Sequence, residues 1–346
     1  MKRIGIIGVG STVAIGSFHE MAIRNDKRAV LTAVYGLNIA KTQKWVAEKG
    51  LSGTCKACES LDEFYSLIDA VVICTPTATH LEYILSAVAN GKDFLCEKPL
   101  AGGARECEIA IDAMKGKNIV GFVGFIYRSA NFTNKIKEIV AEKIGKVYTY
   151  SCHFGGKRLA NPNVGHEWRF KKQFAGSGAI SDFGAHVIDT AIFTCGLEFE
   201  KISGFTQTFI TERKDENGVL LPVETDDSAV ISAVATSGAL ASFTVSRVGH
   251  DEMGITITGE GGMIMASGRT PEFITYWKKE IGGAYTGNVL QIDVEKEVFF
   301  DDWFKTQMSH FIDVISGERD DYPTIEDGLE VERVIGIARE VAGLSE

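Results

Sequence analysis

Apolar residues run through the first third of the chain in two alternating rhythms. Short continuous runs occur at Arg3-Ile4-Gly5-Ile6-Ile7, at Ala29 to Tyr35 (AVLTAVY), at Val71-Val72-Ile73-Cys74, at Phe94-Leu95-Cys96 and at Val120-Gly121-Phe122-Val123. Runs of this length and composition suit strands buried on both faces. Between them lie stretches with apolar residues three and four apart: Ser11 to Ala22, Ala40 to Lys49, Leu61 to Leu67, the stripe of Leu81, Ile84, Leu85 and Val88, and Ala104 to Met114. Gly50 closes the second of these and Asn90-Gly91 the fourth, as left-handed caps do. Strand and helix alternate throughout, which predicts a doubly wound parallel sheet of the Rossmann type.

The rhythm changes past Gly145. Val147 to Phe154, Lys201 to Phe209, Ala229 to Ala235, Ala239 to Val245, Gly254 to Thr258 and Met263 to Ala266 read as strands, several joined by tight turns such as Thr236-Ser237-Gly238. Such neighbours pair antiparallel. A helix around Ile136 to Val140, one from Ile180 onward, and two at the chain end, Trp303 to Ile315 and Ile325 to Ala342, complete the half. The pattern predicts an α+β domain with one large, mostly antiparallel open sheet. The change of rhythm divides the chain into an expected first domain of residues 1–123 and a second of 124–346, with the last helices free to pack back on the first.

Composition narrows the class. The 346 residues are 45% hydrophobic and 24% charged, ordinary for a globular protein, and no apolar run nears the ~18 residues of a membrane span. Lys2-Arg3 leads into a Gly-rich strand and turn, not a signal segment, so a cytoplasmic protein is expected. A net charge of −10 argues against nucleic acid or anionic membrane as a partner. Seven cysteines, several inside apolar strands, suit buried reduced thiols. Cys55-x-x-Cys58 lacks the further ligands that zinc needs, and no metal site is expected.

The chemistry sits in the turns. Gly8-Val9-Gly10, with Ser11 and Thr12 opening the next helix, follows the first strand at once. Backbone N–H groups and a helix N-terminus there suit a pyrophosphate, although position 13 is Val and a plain tight turn has the same pattern. The second strand ends in Tyr35-Gly36-Leu37-Asn38, without the acid that an NAD site places on the ribose about 20 residues past the glycines. That absence removes a repulsion against a 2′-phosphate, and Lys41 is near, so the cofactor is NAD or NADP with a slight lean to NADP. Thr75-Pro76-Thr77 ends the Val71 strand, and Glu97-Lys98-Pro99 ends the Phe94 strand. The carboxyl edge of an open α/β sheet is where ligands bind, whereas an isolated Glu-Lys pair reads as a solvated surface pair. Farther on, Asp182, His186 and Asp189 fall at i, i+4 and i+7 of the helix from Ile180, beside an apolar face of Phe183, Val187 and Ile188. A histidine among acids is either a solvated face or an oriented proton-transfer group.

The set Gly8-x-Gly10 to His19, Cys74-Thr75-Pro76-Thr77-x-x-His80 and Glu97-Lys98-Pro99-Leu100-Ala101 resembles the Gfo/Idh/MocA family of NAD(P)-dependent sugar and cyclitol oxidoreductases. The resemblance continues through Trp168-Arg169, the stretch from Gly176-Ser177-Gly178 to Asp189, and Tyr322 to Gly328, nearly the whole chain. It implies that Thr75, Pro76, Thr77, His80, Glu97, Trp168 and Arg169 line the cofactor. It also implies that Lys98 reaches the nicotinamide and the reacting oxygen through a commonly cis Lys–Pro bond, and that Asp182 and His186 face the substrate. Many relatives carry Asn and Arg where this chain has Val123 and Phe125, and Tyr127 and Arg128 stand ready as replacements. His153, Lys157 and Arg158 occupy positions of substrate contacts in such proteins; His166, His250 and His310 fall in no motif.

The resulting expectation is hydride transfer between nicotinamide and a secondary alcohol or ketone of a sugar, cyclitol or derivative. His186 serves as acid/base, Asp182 orients it or binds a hydroxyl, and Lys98 stabilises the developing alkoxide. The opposite split between Lys98 and His186 stays open. A glycosidase working by transient oxidation on a retained NAD, and a non-catalytic dinucleotide-binding regulator, are the alternatives. A homo-dimer or homo-tetramer is implied by the resemblance.

Overall fold

Six parallel strands stand in the order β3-β2-β1-β4-β5-β6, the doubly wound arrangement. They are β1 (Lys2–Ile7), β2 (Ala29–Tyr35), β3 (Lys56–Cys58), β4 (Ala70–Ile73), β5 (Asp93–Cys96) and β6 (Gly121–Val123). The intervening helices are α1 (Ile15–Asn25), α2 (Ile39–Glu48), α3 (Leu61–Ser66), α4 (His80–Ala89) and α5 (Ala104–Met114). β1 and β4 are buried almost throughout, as their continuous apolar runs require. The computed structural model describes residues 1–9, 15–279 and 289–344, so Gly10, Ser11 and Thr12 lie outside the described residues.

The chain divides into two compact units, Met1–Ile126 with Phe300–Glu330, and Tyr127–Phe299 with Val331–Glu346. In the first, helix α10 (Asp301–Ile315) packs on α1. The segment before α11 (Ile325–Val341) covers the β6 edge: Val123 donates to the carbonyl of Pro323 at 2.9 Å, and Tyr322 stacks on Phe122 at 5.9 Å. Thr324 then caps α11, exchanging hydrogen bonds with Asp327.

The second unit holds α6 (Asn131–Ile139), β7 (Val147–Gly155), three helices α7 (Lys172–Ala175), α8 (Ala179–Asp182) and α9 (Gly184–Cys195), and β8 (Phe199–Gln207). A small hairpin of β9 (Glu212–Lys214) and β10 (Leu220–Pro222) follows. Then come β11 (Ser228–Ala235), β12 (Leu240–Ser246), β13 (Met253–Gly259), β14 (Gly262–Ser267), β15 (Phe273–Lys278) and β16 (Val289–Asp293). The eight-stranded sheet runs β16-β15-β14-β13-β7-β12-β11-β8 and is antiparallel except where β7 pairs β12. Alternation sends Tyr150, Cys152 and Phe154 of β7 and Phe243 and Val245 of β12 into the core, where α9 packs on both strands. On the other face Val230 and Leu240 are exposed.

One expected element differs. Periodicity predicts a continuous helix from Ile180, but the structure breaks it at Phe183 between α8 and α9. Gly184 is a poor helix former there, and the Phe183 ring is drawn onto Phe154 at 4.5 Å.

Candidate functional site

In the first unit the strand register brings three turns level. Ile7 pairs with Ile73 and Ile73 with Cys96, so the residues after β1, β4 and β5 begin at one height. The ladder continues into the turns: Gly8 donates to the carbonyl of Tyr35 at 3.0 Å, Cys74 to that of Ile7 at 2.9 Å and Glu97 to that of Ile73 at 3.0 Å. β1 and β4 flank the point where strand order reverses, the crevice in which such sheets bind ligands. Gly8 has φ +98, and a Cβ there would lie 2.7 Å from the Cys74 carbonyl carbon and 2.8 Å from the Thr75 nitrogen. Only glycine lets these two turns approach so closely, and that closeness suits a backbone cradle for a pyrophosphate.

At the end of β2, Gly36 is tight against Thr42, and Asn38 caps α2 by accepting from the Lys41 amide at 3.0 Å. After β4, Thr79 donates to the Pro76 carbonyl at 2.8 Å, and its hydroxyl oxygen lies 2.9 Å from that of Thr75, which fixes the Thr75-Pro76-Thr77 turn. His80 is 1% exposed, with Nε2 2.9 Å from the Thr75 carbonyl and Nδ1 2.9 Å from the Pro99 carbonyl. The ring thus lies between two turns and, when neutral, donates its one N–H to one of the two carbonyls. Burial lowers its pKa, against the pull of the two carbonyls and Glu97.

The Lys98–Pro99 peptide is cis, and Lys98 is half-buried. Glu97 is also occupied internally: Oε1 lies 2.7 Å from His19 Nε2, and Oε2 accepts from the Lys98 amide at 3.3 Å. The Cys55 and Cys58 thiols are pushed up by burial to about 12 and about 11, and all seven cysteines are free.

In the second unit Asp182 ends α8 and His186 lies on the first turn of α9, both half-buried. Tyr127 meets the His186 ring edge-to-face at 5.0 Å and Phe154 lies 6.1 Å away, so the imidazole is bedded on aromatic rings. Asp189 separates from this pair. It is 1% exposed and clasped by Arg128, whose Nη2 and Nε lie 2.6 and 3.0 Å from Oδ1. Trp168 and Arg169 share a short turn, with the guanidinium 4.3 Å from the indole. Burial lowers the Arg169 pKa, and Asp182 and Glu167 oppose it, which places Asp182 within electrostatic reach of the turn.

One residue unites these pieces. Asp226 is buried; its Oδ1 accepts from Gly178 at 2.6 Å, its Oδ2 from Ile180 at 2.9 Å and its carbonyl from Ala179 at 3.0 Å. It thereby anchors the start of the helix that ends in Asp182. The neighbouring Thr225 donates to the Arg169 carbonyl at 2.9 Å. Neither residue falls in a motif, and a lone Thr-Asp-Asp between strands carries no sequence signal. His153 faces the exposed side of β7, opposite the side on which α9 packs, while Lys157 pairs with Asp251 and Arg158 with Glu167.

A model described as the oxidoreductase family with an NAD-binding Rossmann fold matches residues 2–125, and one described as the GFO/IDH/MocA C-terminal domain matches residues 133–265. The chain belongs to the Gfo/Idh/MocA family. This Gfo/Idh/MocA protein is 33% identical over 210 residues to a levoglucosan dehydrogenase from Pseudarthrobacter phenanthrenivorans, covering 55% of this chain and 54% of that protein. It is 30% identical over 223 residues to a glucose-6-phosphate 3-dehydrogenase from Bacillus subtilis, covering 62% and 61%. The matched stretches thus span little more than half of those relatives. The fold is shared with a levoglucosan dehydrogenase solved in complex with NADH, at a TM-score of 0.89 and 24% identity over 99% of this chain and 97% of that one. Among the described residues no helix is long and apolar enough to cross a membrane.

Proposed function

We propose that this chain is an NAD(P)-dependent dehydrogenase that oxidises a secondary hydroxyl of a sugar, cyclitol or sugar derivative, or reduces the matching ketone. The observation that carries the reading is the half-buried Lys98 at the carboxyl end of β5, beside the strand-order reversal of a doubly wound sheet. The dehydrogenase names of the two relatives, one for levoglucosan and one for glucose 6-phosphate, support a sugar hydroxyl as substrate. They also favour net hydride transfer over transient oxidation by a glycosidase.

Nicotinamide, when bound, gives or takes the hydride. Every other task falls to the chain's own residues. The Gly8 turn, with Gly10, Ser11 and Thr12, receives the pyrophosphate; Gly36 and Asn38 border the ribose; Thr75-Pro76-Thr77, Trp168 and Arg169 line the dinucleotide. His186 moves the hydroxyl proton, with Asp182 orienting it or binding a substrate hydroxyl. Lys98 stabilises the alkoxide as that proton leaves. Glu97 and His80 serve the same site by holding the turns. Asn38 brings no negative charge to the end of β2, so NADP and NAD are both accommodated, with a slight lean to NADP. The protein works as a homo-dimer or homo-tetramer joined through the open sheet face, whose Val230 and Leu240 are apolar and exposed.

The test is titration of the purified protein with NAD⁺ and NADP⁺, followed by a panel of sugars and inositols watched for reduced nicotinamide absorbance. Turnover is expected with at least one polyol, and Lys98→Ala and His186→Ala should each lower kcat by ~10²-fold or more. Binding of dinucleotide with no turnover on any polyol would sink the dehydrogenase reading and favour the regulator.

A further inference from the structure

The EKP-type turn is held from beneath by a residue to which nothing so far gives a task. His19, on α1, is 0% exposed, an imidazole wholly inside an apolar layer. Its ring stands edge-on to Phe304 of α10, with centroids 4.9 Å apart. Its Nδ1 has no hydrogen-bond partner among the described residues, and a polar atom left so in the interior is costly. What offsets that cost is its other nitrogen, 2.7 Å from Glu97 Oε1. A carboxylate only accepts, so Nε2 carries the hydrogen and donates it.

Glu97 is gripped from the remaining sides. Its Oε2 accepts from the amide of Lys98, and a Cβ at Gly124 would come within 3.2 Å of its carboxyl carbon and its own Cα. The space for the Glu97 carboxylate is thus defined by His19, Gly124 and the Lys98 backbone. A carboxylate turned away from this position leaves the buried His19 donor unmatched, and the amide it holds belongs to Lys98.

We propose that His19 is a positioning residue: by donating to Glu97 it fixes the backbone at Lys98 and so aims the Lys98 ammonium. The inference rests on the reading of Lys98 as a group at the reacting atoms. A misplacement of about 1 Å at such a group costs up to ~10²-fold in rate, while binding of the rest of the dinucleotide is untouched. His19 touches neither substrate nor cofactor in this account; it works only through Glu97.

The experiment compares His19→Leu, which keeps apolar bulk and removes the donor, with His19→Gln, which keeps a donor. Each is read by kcat, by KM, by the dissociation constant for NADH from its fluorescence, and by the rate at which acetic anhydride labels Lys98, measured on the peptide. His19→Leu is expected to lower kcat by about tenfold and to shift Lys98 labelling by about threefold or more, with NADH affinity within about threefold. His19→Gln is expected to recover most of both. In a Glu97→Ala background, which has no acceptor for His19, His19→Leu should add almost nothing, since the two act through one contact. Equal behaviour of the Leu and Gln variants, or full additivity with Glu97→Ala, would overturn the proposal, as would a loss of NADH affinity that accounts for the whole effect. The labelling arm needs no substrate, so it judges His19 by itself, whereas a wild-type protein that turns over no polyol counts against the functional reading.

Discussion

Arg128 and Asp189 form a buried fork, with Nη2 2.6 Å and Nε 3.0 Å from Oδ1 and Nε 3.2 Å from Oδ2. Asp189 shares a helix with His186, and its burial in this pair removes it from proton transfer. The fork ties α9 to the chain at Arg128, sixty-one residues earlier. Breaking such a pair strands one charge inside the protein, which costs about 3–5 kcal/mol. Asp189→Asn is therefore expected to lower stability by about 3 kcal/mol, seen as a shift of the urea midpoint at constant slope. A loss below about 1 kcal/mol would show the pair to be solvated.

Gly8 stands where no side chain fits. Alanine there would adopt φ +98 with its Cβ against the Cys74 and Thr75 backbone. Backbone strain alone is about 1–2 kcal/mol. The turns after β1 and β4 must separate, and the proposed pyrophosphate cradle goes with them. Gly8→Ala should weaken NADH binding by ~10-fold or more in a fluorescence titration. Unchanged affinity would mean that this turn does not hold the dinucleotide.

His80 gives the first unit a pH dependence. Burial holds its ring below the usual 6.5, so the unfolded chain binds this proton more tightly than the folded one. The stability contributed by the neutral ring is then complete above pH 6.5 and is lost as pH falls through the folded value. His310, also lowered by burial, acts with the same sign. The melting temperature should fall on acidification from pH 6.5, and less steeply in His80→Gln. Parallel slopes for the two proteins would assign the whole dependence elsewhere.

On the proposed reading, cofactor choice turns on Asn38. Aspartate caps a helix as well as asparagine and suits the positive end of the α2 dipole, so Asn38→Asp leaves the fold intact. It adds a negative charge where the proposed site would place a 2′-phosphate. NADP⁺ affinity should drop by about tenfold or more while NAD⁺ affinity holds or improves. An equal effect on both would mean that the ribose does not reach the end of β2.

The sequence shows the first sheet well because strands buried on both faces leave continuous apolar runs: the Ala29–Tyr35 strand and the Ala104–Met114 helix appear with the bounds that the spacing predicts. β3, β9 and β10 escape notice because three residues carry no period. β15, with Ile274 and Tyr276 inward, has an alternation that could have been read. Within the helix from Ile180, spacing alone cannot tell Asp189 from Asp182, since both point to one side; burial and Arg128 divide them. His19 and His80 appear in the motifs, but the partners that define them, Glu97 and the carbonyls of Thr75 and Pro99, are joined only by folding.

The central claim is net hydride transfer from a carbinol carbon. It is tested most directly with a polyol substrate deuterated at the carbon to be oxidised, by mass spectrometry of the nicotinamide formed. The account predicts one deuterium on reduced nicotinamide for each ketone released, and loss of that signal in His186→Ala. Deuterium that stays on the sugar, or is returned to it with no reduced nicotinamide released, would contradict it.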